Sequence, residues 1–195
     1  MSAMAVLPIR TVGDPVLRTP TALVTTFDAA LARLVHDMID TMYDAPGVGL
    51  AAPQIGVGLR VFVFDVGYDP RDVTVPRVPR VVVNPVLELA ADGEQQEGQE
   101  GCLSVPGLHF STTRALRASV RGVDVTGAAV EYAGEGLLAR CFQHEVDHLD
   151  GTLYLDRLTG EERRAAVQAL REPPPSPEQV RAAGEELRAL RRADQ

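Results

Sequence analysis

The chain has 195 residues, of which 45% are hydrophobic and 24% are charged, a composition typical of one globular domain. Its formal net charge of −8 argues against nucleic acid or an anionic membrane as a direct partner, because both select for clustered positive charge. No apolar run approaches the roughly 20 residues that are needed to cross a bilayer.

The first residues of the chain contain neither the apolar core of a secretory signal nor an Arg-rich amphipathic stretch. We therefore expect a cytoplasmic protein. Its two cysteines, Cys102 and Cys141, are too few for a disulfide scaffold and are expected to be reduced thiols. A cysteine of this kind is often a small buried hydrophobic residue, so only its neighbours can suggest another role.

The first predicted element is a helix over 26–43, with Thr25 or Thr26 as its N-cap. Its apolar residues recur at helical spacing and form one stripe: Phe27, Leu31, Leu34, Val35, Met38, Ile39 and Met42. Three segments that are rich in β-branched and aromatic residues are then predicted to be strands: 59–66, 80–84 and 86–90. Segment 67–79 contains Gly, Asp and Pro and predicts a loop, and the polar run 92–99 predicts a turn region.

The second half of the chain starts with a predicted hairpin. Segment 119–126, with a bulge at Gly122, pairs with 129–132 across a turn. A second helix is predicted over 137–149. Because the strands cluster between helices instead of alternating with them, we predict an α+β fold. In this fold, central antiparallel or mixed sheets pack around the helix at 137–149, with an N-terminal helix and a C-terminal helical tail.

The C-terminal part has a different composition. A helix predicted over 159–171 ends at the run EPPPSP, which is typical of a stiff spacer. Residues 178–192 predict a weak helix. We therefore expect a main domain at 1–171 that carries the chemistry, followed by a Pro-spaced tail at 172–195.

Residues 144–148 read HEVDH within the second predicted helix. His144 and His148 lie on one helical face and can share a metal ion, while Glu145 projects toward the edge of the same site. A pattern this short also occurs by chance, as a helix with two ordinary surface histidines. Here, however, the histidines continue an apolar line from Leu137 and Cys141, so they extend a buried face, where imidazoles need partners.

A catalytic metal site of this kind needs a third protein ligand. One class of metalloprotease uses a third His beyond a Gly, where this chain has Tyr154. Another class uses a later Glu, for which Glu161, Glu162 and Glu172 are poor fits. Cys102 remains, in the sequence EGCLS, whose small and polar residues suit an exposed, tightly turned backbone. A thiolate at this position would complete a Cys-His-His site.

Residues 47–56 read GVGLAAPQIG, a small and Gly-rich segment with a single amide, Gln54. Glycines allow the backbone to approach a ligand closely. A plain loop after the first helix is the alternative. A phosphate-binding loop is excluded, because no Lys-Ser/Thr pair follows and no strand precedes the segment.

The sequences GVGLAAPQIG, EGCLS and QHEVDH, in this order, resemble the three signature motifs of the peptide deformylase family. The resemblance extends over residues 13–158. The chain departs from the family pattern in the 67–79 loop and in the Pro-spaced tail. The run EGCLSVPG is more similar to the bacterial type 1 branch than to more divergent branches.

The resemblance implies a hydrolase that removes the formyl group from the N-terminal formylmethionine of newly made proteins and releases formate. It implies that Cys102, His144 and His148 bind one divalent metal ion per chain, with water at the fourth position. Fe²⁺ is the expected physiological ion. Because iron beside a thiolate is oxygen-sensitive, purified protein could contain Zn²⁺ or Ni²⁺ instead.

The resemblance also implies the groups that act on the substrate. Glu145 would accept the proton of the attacking water and deliver it to the leaving amine. The side-chain amide of Gln54 and the backbone N–H of Leu103 would stabilise the oxyanion.

The substrate peptide is expected to lie extended between the backbone at 48–50 and that at 107–109. The expected substrate-binding residues are Val48, Gly49, Leu50, Gly101, Leu137 and Cys141. Among them, Val48, Leu137 and Cys141 would form the pocket for the methionine side chain. Glu100 would accept a hydrogen bond beside the metal ligands, with Arg114 as its partner.

The expected partners are N-formylmethionyl peptides, nascent chains and the ribosome. Two alternatives rest on less of the sequence. HEVDH alone would also suit a metalloprotease that cleaves unformylated peptides internally. A non-catalytic ribosome-binding module, with the tail as its docking helix, is the other alternative, and the intact Gln54 and Glu145 argue against it.

Overall fold

The computed structural model describes residues 5–69, 72, 74–172, 176, 178–180 and 182. The first long helix, α1, spans Ala29–Asp44. Its N-cap is Asp28, whose carboxylate accepts hydrogen bonds from the N–H groups of Ala30 and Leu31 at 2.9 and 3.0 Å. The predicted cap at Thr25 or Thr26 is therefore wrong, because the charged Asp28 oxygen satisfies the free N–H groups of the first turn.

The larger sheet has five antiparallel strands in the order β1-β2-β3-β6-β7. Their bounds are β1 Gly49–Ala51, β2 Val61–Phe64, β3 Arg80–Leu89, β6 Arg117–Val123 and β7 Ala129–Glu135. The helix α1 packs its apolar stripe against β1 and β2. The predicted hairpin of β6 and β7 is confirmed.

The strand β3 corrects two of the predicted elements. The segments 80–84 and 86–90 form one strand, interrupted by a bulge that adds one residue between Val83 and Val86. Pro85, which has no N–H to donate, lies within this bulge. Gly122 on β6 faces the bulge, so the extra residue is on β3 and not at Gly122 itself. The strand β2 is also shorter than the predicted 59–66.

The second sheet consists of β4, Gln95–Cys102, and β5, Val105–Ala115. The prediction of a turn region over 92–99 is therefore wrong, because β4 begins at Gln95. The segment has no apolar residue to reveal a strand, and it is held by backbone pairing with β5 along its length.

The second long helix, α2, spans Gly136–Leu149 and lies against both sheets, with neighbours in β1, β5, β6 and β7. All of its residues from 139 to 149 are buried, so the helix is enclosed on every side. The third helix, α3, spans Gly160–Ala169 and packs against β5. The predicted α+β architecture is confirmed.

Most of the predicted tail helix at 178–192 lies outside the described residues. Within this range, the structure describes residues 178–180 and 182, and these are helical. Among the helices that the structure describes, none is long and apolar enough to span a membrane.

The close approach of β6 to the bulge of β3 generates a prediction about stability. A Cβ atom at Gly122 would lie 2.6 Å from both Val82 Cγ1 and the backbone oxygen of Val83. Because backbone cannot move aside easily, we expect Gly122→Ala to lower the free energy of unfolding by about 2 kcal/mol. Gly58→Ala is the matched control, since a Cβ there meets no atom within 4 Å. Urea unfolding of both variants measures the difference, and equal midpoints would contradict the prediction.

Candidate active site and metal centre

The helix α2 buries the HEVDH sequence. His144 is 9% exposed and His148 is 1% exposed, which excludes two ordinary surface histidines. Their rings meet edge to face with centroids 4.9 Å apart, as expected for side chains one helical turn apart. Both imidazoles therefore lie inside the fold, where each ring nitrogen needs a partner.

The sulfur of Cys102 lies beside these rings. The pairing of β4 with β5 shifts register between Gly101 and Cys102, so Cys102 lies at the irregular end of β4. Cys102 Sγ is 3.2 Å from His148 Nε2. One ligand atom each from Cys102, His144 and His148 lies within 4.8 Å of the others. A sulfur and two imidazole nitrogens at this separation fit a divalent ion.

Hydrogen-bond donors surround the same sulfur. The backbone N–H of Ser104 donates to Cys102 Sγ at 3.3 Å, and the amide nitrogen of Gln54 lies 3.5 Å from it. These two donors lie against the same sulfur as His148 and hold its position next to the two imidazoles. EGCLS is thus less exposed than its composition indicates, since Glu100 and Ser104 are buried.

The carboxylate of Glu100 organises the space behind the candidate ligands. It accepts hydrogen bonds from Arg114, at 2.6 and 3.1 Å, and from Arg140 at 2.9 Å. Its Oε1 atom lies 2.7 Å from His144 Nδ1, which leaves the Nε2 atom of His144 for an ion. Burial alone would raise the pKa of Glu100, but His144 and Arg114 outweigh it and hold that pKa well below its usual range. Glu100 is therefore ionised.

Sequence reasoning found Glu100 and its partner Arg114 but missed two residues of α2. Asp147 accepts a hydrogen bond from Arg114 at 2.6 Å and another from Arg157 at 2.6 Å. Arg140 precedes His144 by one helical turn and is buried. A charged residue on a predicted apolar face was the available signal, because a buried guanidinium requires an acid partner.

Glu145 is buried next to β1. Among the described residues, no group forms a hydrogen bond with its Oε2 atom. Burial, the largest influence, raises the pKa of Glu145 to about 7. Burial also lowers the pKa of His148 well below its usual value, so this imidazole is neutral and can bind a metal. Gly49 has to lack a side chain, because a Cβ there would be 2.3 Å from Glu145 Oε1.

The segment 47–56 is not a plain loop, since it contains the strand β1 and a 3-10 turn at Ala52–Ile55. Gln54, in that turn, is buried. Its Oε1 atom accepts a hydrogen bond from the N–H of Ala51 at 2.8 Å, which fixes the direction of its amide nitrogen. That nitrogen lies 3.3 Å from Ser104 Oγ and faces the Cys102 sulfur.

A cavity of about 520 Å³ opens beside this cluster. Its lining includes five of the six predicted substrate-binding residues, Val48, Gly49, Gly101, Leu137 and Cys141, together with Gln54, Leu103, His144 and Glu145. Leu50 is the exception, because its side chain is fully buried in the core against α1 and does not line the cavity. Val180, from the tail, also lines the cavity.

The alternative third ligands of the metalloprotease hypothesis lie elsewhere. The hydroxyl of Tyr154 donates a hydrogen bond to the backbone oxygen of Leu108 at 2.9 Å. Glu161, Glu162 and Glu172 are not part of the Cys102 cluster, and Glu161 and Glu172 are exposed.

A family model described as polypeptide deformylase matches residues 6–164. The chain belongs to the polypeptide deformylase family. The peptide deformylase of Acidothermus cellulolyticus is 56% identical over 169 residues, which cover 87% of this chain and 88% of the relative. That of Mycolicibacterium paratuberculosis is 54% identical over 177 residues, covering 86% and 89%.

Solved deformylase structures share the fold. A peptide deformylase from Legionella pneumophila is 42% identical, with a TM-score of 0.75, and the match covers 87% of this chain and all of that one. A complex of the Synechococcus elongatus enzyme with actinonin is 38% identical, with a TM-score of 0.77 and coverage of 88% and 91%. The chain is therefore a metal-dependent hydrolase that removes the N-formyl group of nascent peptides.

The two pocket cysteines of this deformylase give a direct test of metal binding. We expect Cys102→Ala to lower metal affinity by more than about 100-fold, because loss of a ligand exceeds the effect of losing a supporting hydrogen bond. Cys141→Ala is the matched control and should retain metal. Metal analysis after anaerobic purification provides the measurement. Equal metal content in the two variants would contradict the assignment of Cys102.

Proposed function

We propose that Cys102, His144 and His148 bind the divalent ion of this deformylase, and that the ion in the cell is Fe²⁺. The observation that carries the proposal is the convergence of one sulfur and two imidazole nitrogens within 4.8 Å. When bound, the ion supplies Lewis-acid chemistry, which lowers the pKa of a water molecule and polarises a carbonyl. Iron rests on the family resemblance, and Zn²⁺, which nitrogen and sulfur ligands generally bind more tightly, can replace it on purification, as can Ni²⁺.

Glu145 acts as the base and then as the acid. Its carboxylate accepts the proton of the water that attacks the formyl carbon, and it later gives this proton to the nitrogen of the departing methionyl peptide. Its burial beside the candidate ligands supports this role, because a pKa of about 7 suits a group that both takes and returns a proton near neutral pH. Formate and a peptide with a free N-terminal amine are released.

Gln54 and Leu103 stabilise the oxyanion that forms from the formyl oxygen. The Ala51 N–H donates a hydrogen bond to the side-chain oxygen of Gln54. This bond holds the amide nitrogen of Gln54 toward the Cys102 sulfur. The backbone N–H of Leu103 follows the candidate ligand directly in sequence, and Leu103 lines the cavity. A donor that is fixed before the reaction stabilises developing charge without reorganising, and losing one typically costs about 10²–10³ in rate.

The substrate peptide lies extended in the cavity, between the backbone of residues 48–50, where β1 begins, and that of residues 107–109 in β5. Both of these segments contribute to the lining, which supports addition of the peptide as a strand. Val48, Leu137 and Cys141 form the pocket for the methionine side chain. Gly49 and Gly101 allow the backbone of the substrate peptide to approach the backbone of the enzyme closely.

The main domain at 1–171 contains every candidate catalytic residue, and the tail at 172–195 contacts the ribosome. The Pro-rich spacer EPPPSP after α3 supports a separate role for the tail. Because nascent chains are its substrates, the enzyme acts in the cytoplasm.

Removal of the Glu145 carboxylate tests the mechanism. We expect Glu145→Ala to reduce formate release from formyl-Met-Ala-Ser by about 10²–10⁴, the usual contribution of general acid–base catalysis, while metal content stays unchanged. Glu161→Ala, at an exposed position on α3, is the control and should match the wild type. Equal activity of Glu145→Ala and the wild type would exclude this mechanism. Internal cleavage of unformylated peptides would instead favour the metalloprotease.

Truncation after residue 171 tests the division of the chain. We expect kcat to remain within about twofold, because no candidate catalytic residue is removed, and KM to rise modestly, because Val180 lines the cavity. Co-sedimentation with ribosomes should be lost. A truncated protein that still co-sediments would contradict the proposed role of the tail.

A further inference from the structure

One wall of the cavity is formed by residues 44–48, which connect the end of α1 to β1. We call this segment the 44–48 wall. All five of its residues line the cavity. The Ala45 N–H donates to the backbone oxygen of Thr41, and the Gly47 N–H donates to that of Met42. The contacts at the two ends of the wall also bear on its distance from the opposite side of the cavity.

Asp65, a residue outside the cavity, bonds to Val48 at one end of the wall and to Tyr43, which directly precedes the other end. The backbone N–H of Asp65 donates to the backbone oxygen of Val48 at 2.9 Å. Its Oδ2 atom accepts a hydrogen bond from the hydroxyl of Tyr43, directly before the wall, at 2.6 Å. Asp65 is only 6% exposed, so little water competes for the hydrogen bond from Tyr43. Asp65 thus links the start of the wall to its end.

The loop at 67–79, where the chain departs from the family pattern, is anchored on the same carboxylate. The backbone N–H of Val78 donates to Asp65 Oδ2 at 2.7 Å. The guanidinium of Arg77 lies 4.4 Å from the centre of the Tyr43 ring and 5.1 Å from that of Tyr68. The two tyrosine rings meet edge to face at 4.6 Å. The described part of the loop therefore covers the Tyr43–Asp65 bond from outside.

We propose that Asp65 is a positioning residue for the substrate peptide, which keeps the 44–48 wall at the separation that the peptide needs, and that Arg77 and Val78 support it. Asp65 neither lines the cavity nor belongs to the candidate metal cluster, so it acts through Tyr43 and Val48. The inference rests on the proposed function only in that the peptide lies against this wall. Loosening the wall lowers the fraction of molecules that can bind, without changing the chemistry in those that have bound.

The experiment is a steady-state comparison on formyl-Met-Ala-Ser with the full chain. Tyr43→Phe removes the hydroxyl that binds Asp65 and keeps the ring under Arg77. We expect its KM to rise about 5- to 10-fold, as for a wall that is competent in a tenth to a fifth of the molecules, with kcat within about twofold. Hydrogen exchange at residues 44–48 should become faster. Asp65→Asn, which keeps an acceptor oxygen, should raise KM less than Asp65→Ala.

Tyr68→Phe is the comparison variant, because it removes the hydroxyl that lies 3.4 Å from Arg77 and leaves the bond between Tyr43 and Asp65 intact, so its KM should rise less than that of Tyr43→Phe. If Tyr43→Phe fails to fold, Arg77→Ala, at an exposed position, loosens the cluster from outside and should raise KM about threefold. Unchanged KM in the folded variant, or equal changes in Tyr43→Phe and Tyr68→Phe, would overturn the inference alone. A wild-type protein that releases no formate would overturn the proposed function as well.

Discussion

The rest of the active site depends on the hydrogen bonds that the ionised carboxylate of Glu100 accepts. It belongs to β4, and it accepts hydrogen bonds from Arg114 of β5 and from Arg140 and His144 of α2. It therefore joins the smaller sheet to the helix that carries both histidines. Removing one partner from a buried ion pair typically costs about 3–5 kcal/mol, because the other charge is left uncompensated. The stability of this region and the direction of the His144 ring have the same origin.

The helices were predictable from the sequence, and part of the sheet was not. The apolar spacing along α1 and α2 indicates one buried face, which is a local property of the chain. In contrast, β4 has polar side chains, and its stability comes from hairpin pairing with β5 and from the ion pair of Glu100 with Arg140 of α2, neither of which its own composition indicates. Because of Pro85, the sequence predicted two strands where the structure has the single strand β3. A bulge that tolerates proline cannot be recognised from one strand alone.

The active site, too, contains residues that could be predicted from the sequence and residues that could not. HEVDH and EGCLS stand out because they contain residue types that bind metals, and in HEVDH the histidines lie one helical turn apart. Gln54 stands out as the single amide of a Gly-rich segment. Arg140 and Asp147 belong to no such motif, and the only sign of them in the sequence is a charged residue beside a predicted apolar face, since their importance comes from the buried charges that they meet. Leu50 was grouped with Val48 by its neighbourhood in sequence, but of the two only Val48 lines the cavity. Only the packing against α1 identifies Leu50 as a core residue.

The contact between Gly49 and Glu145 limits how this enzyme could evolve under selection by an inhibitor. Any side chain at position 49 would collide with the Glu145 carboxylate and come within 3.0 Å of the Cys141 sulfur. An alanine there would thus displace the Glu145 carboxylate, on which the proposed proton transfer depends. Compounds that contact Gly49, which lines the cavity, would leave few escape mutations at that position.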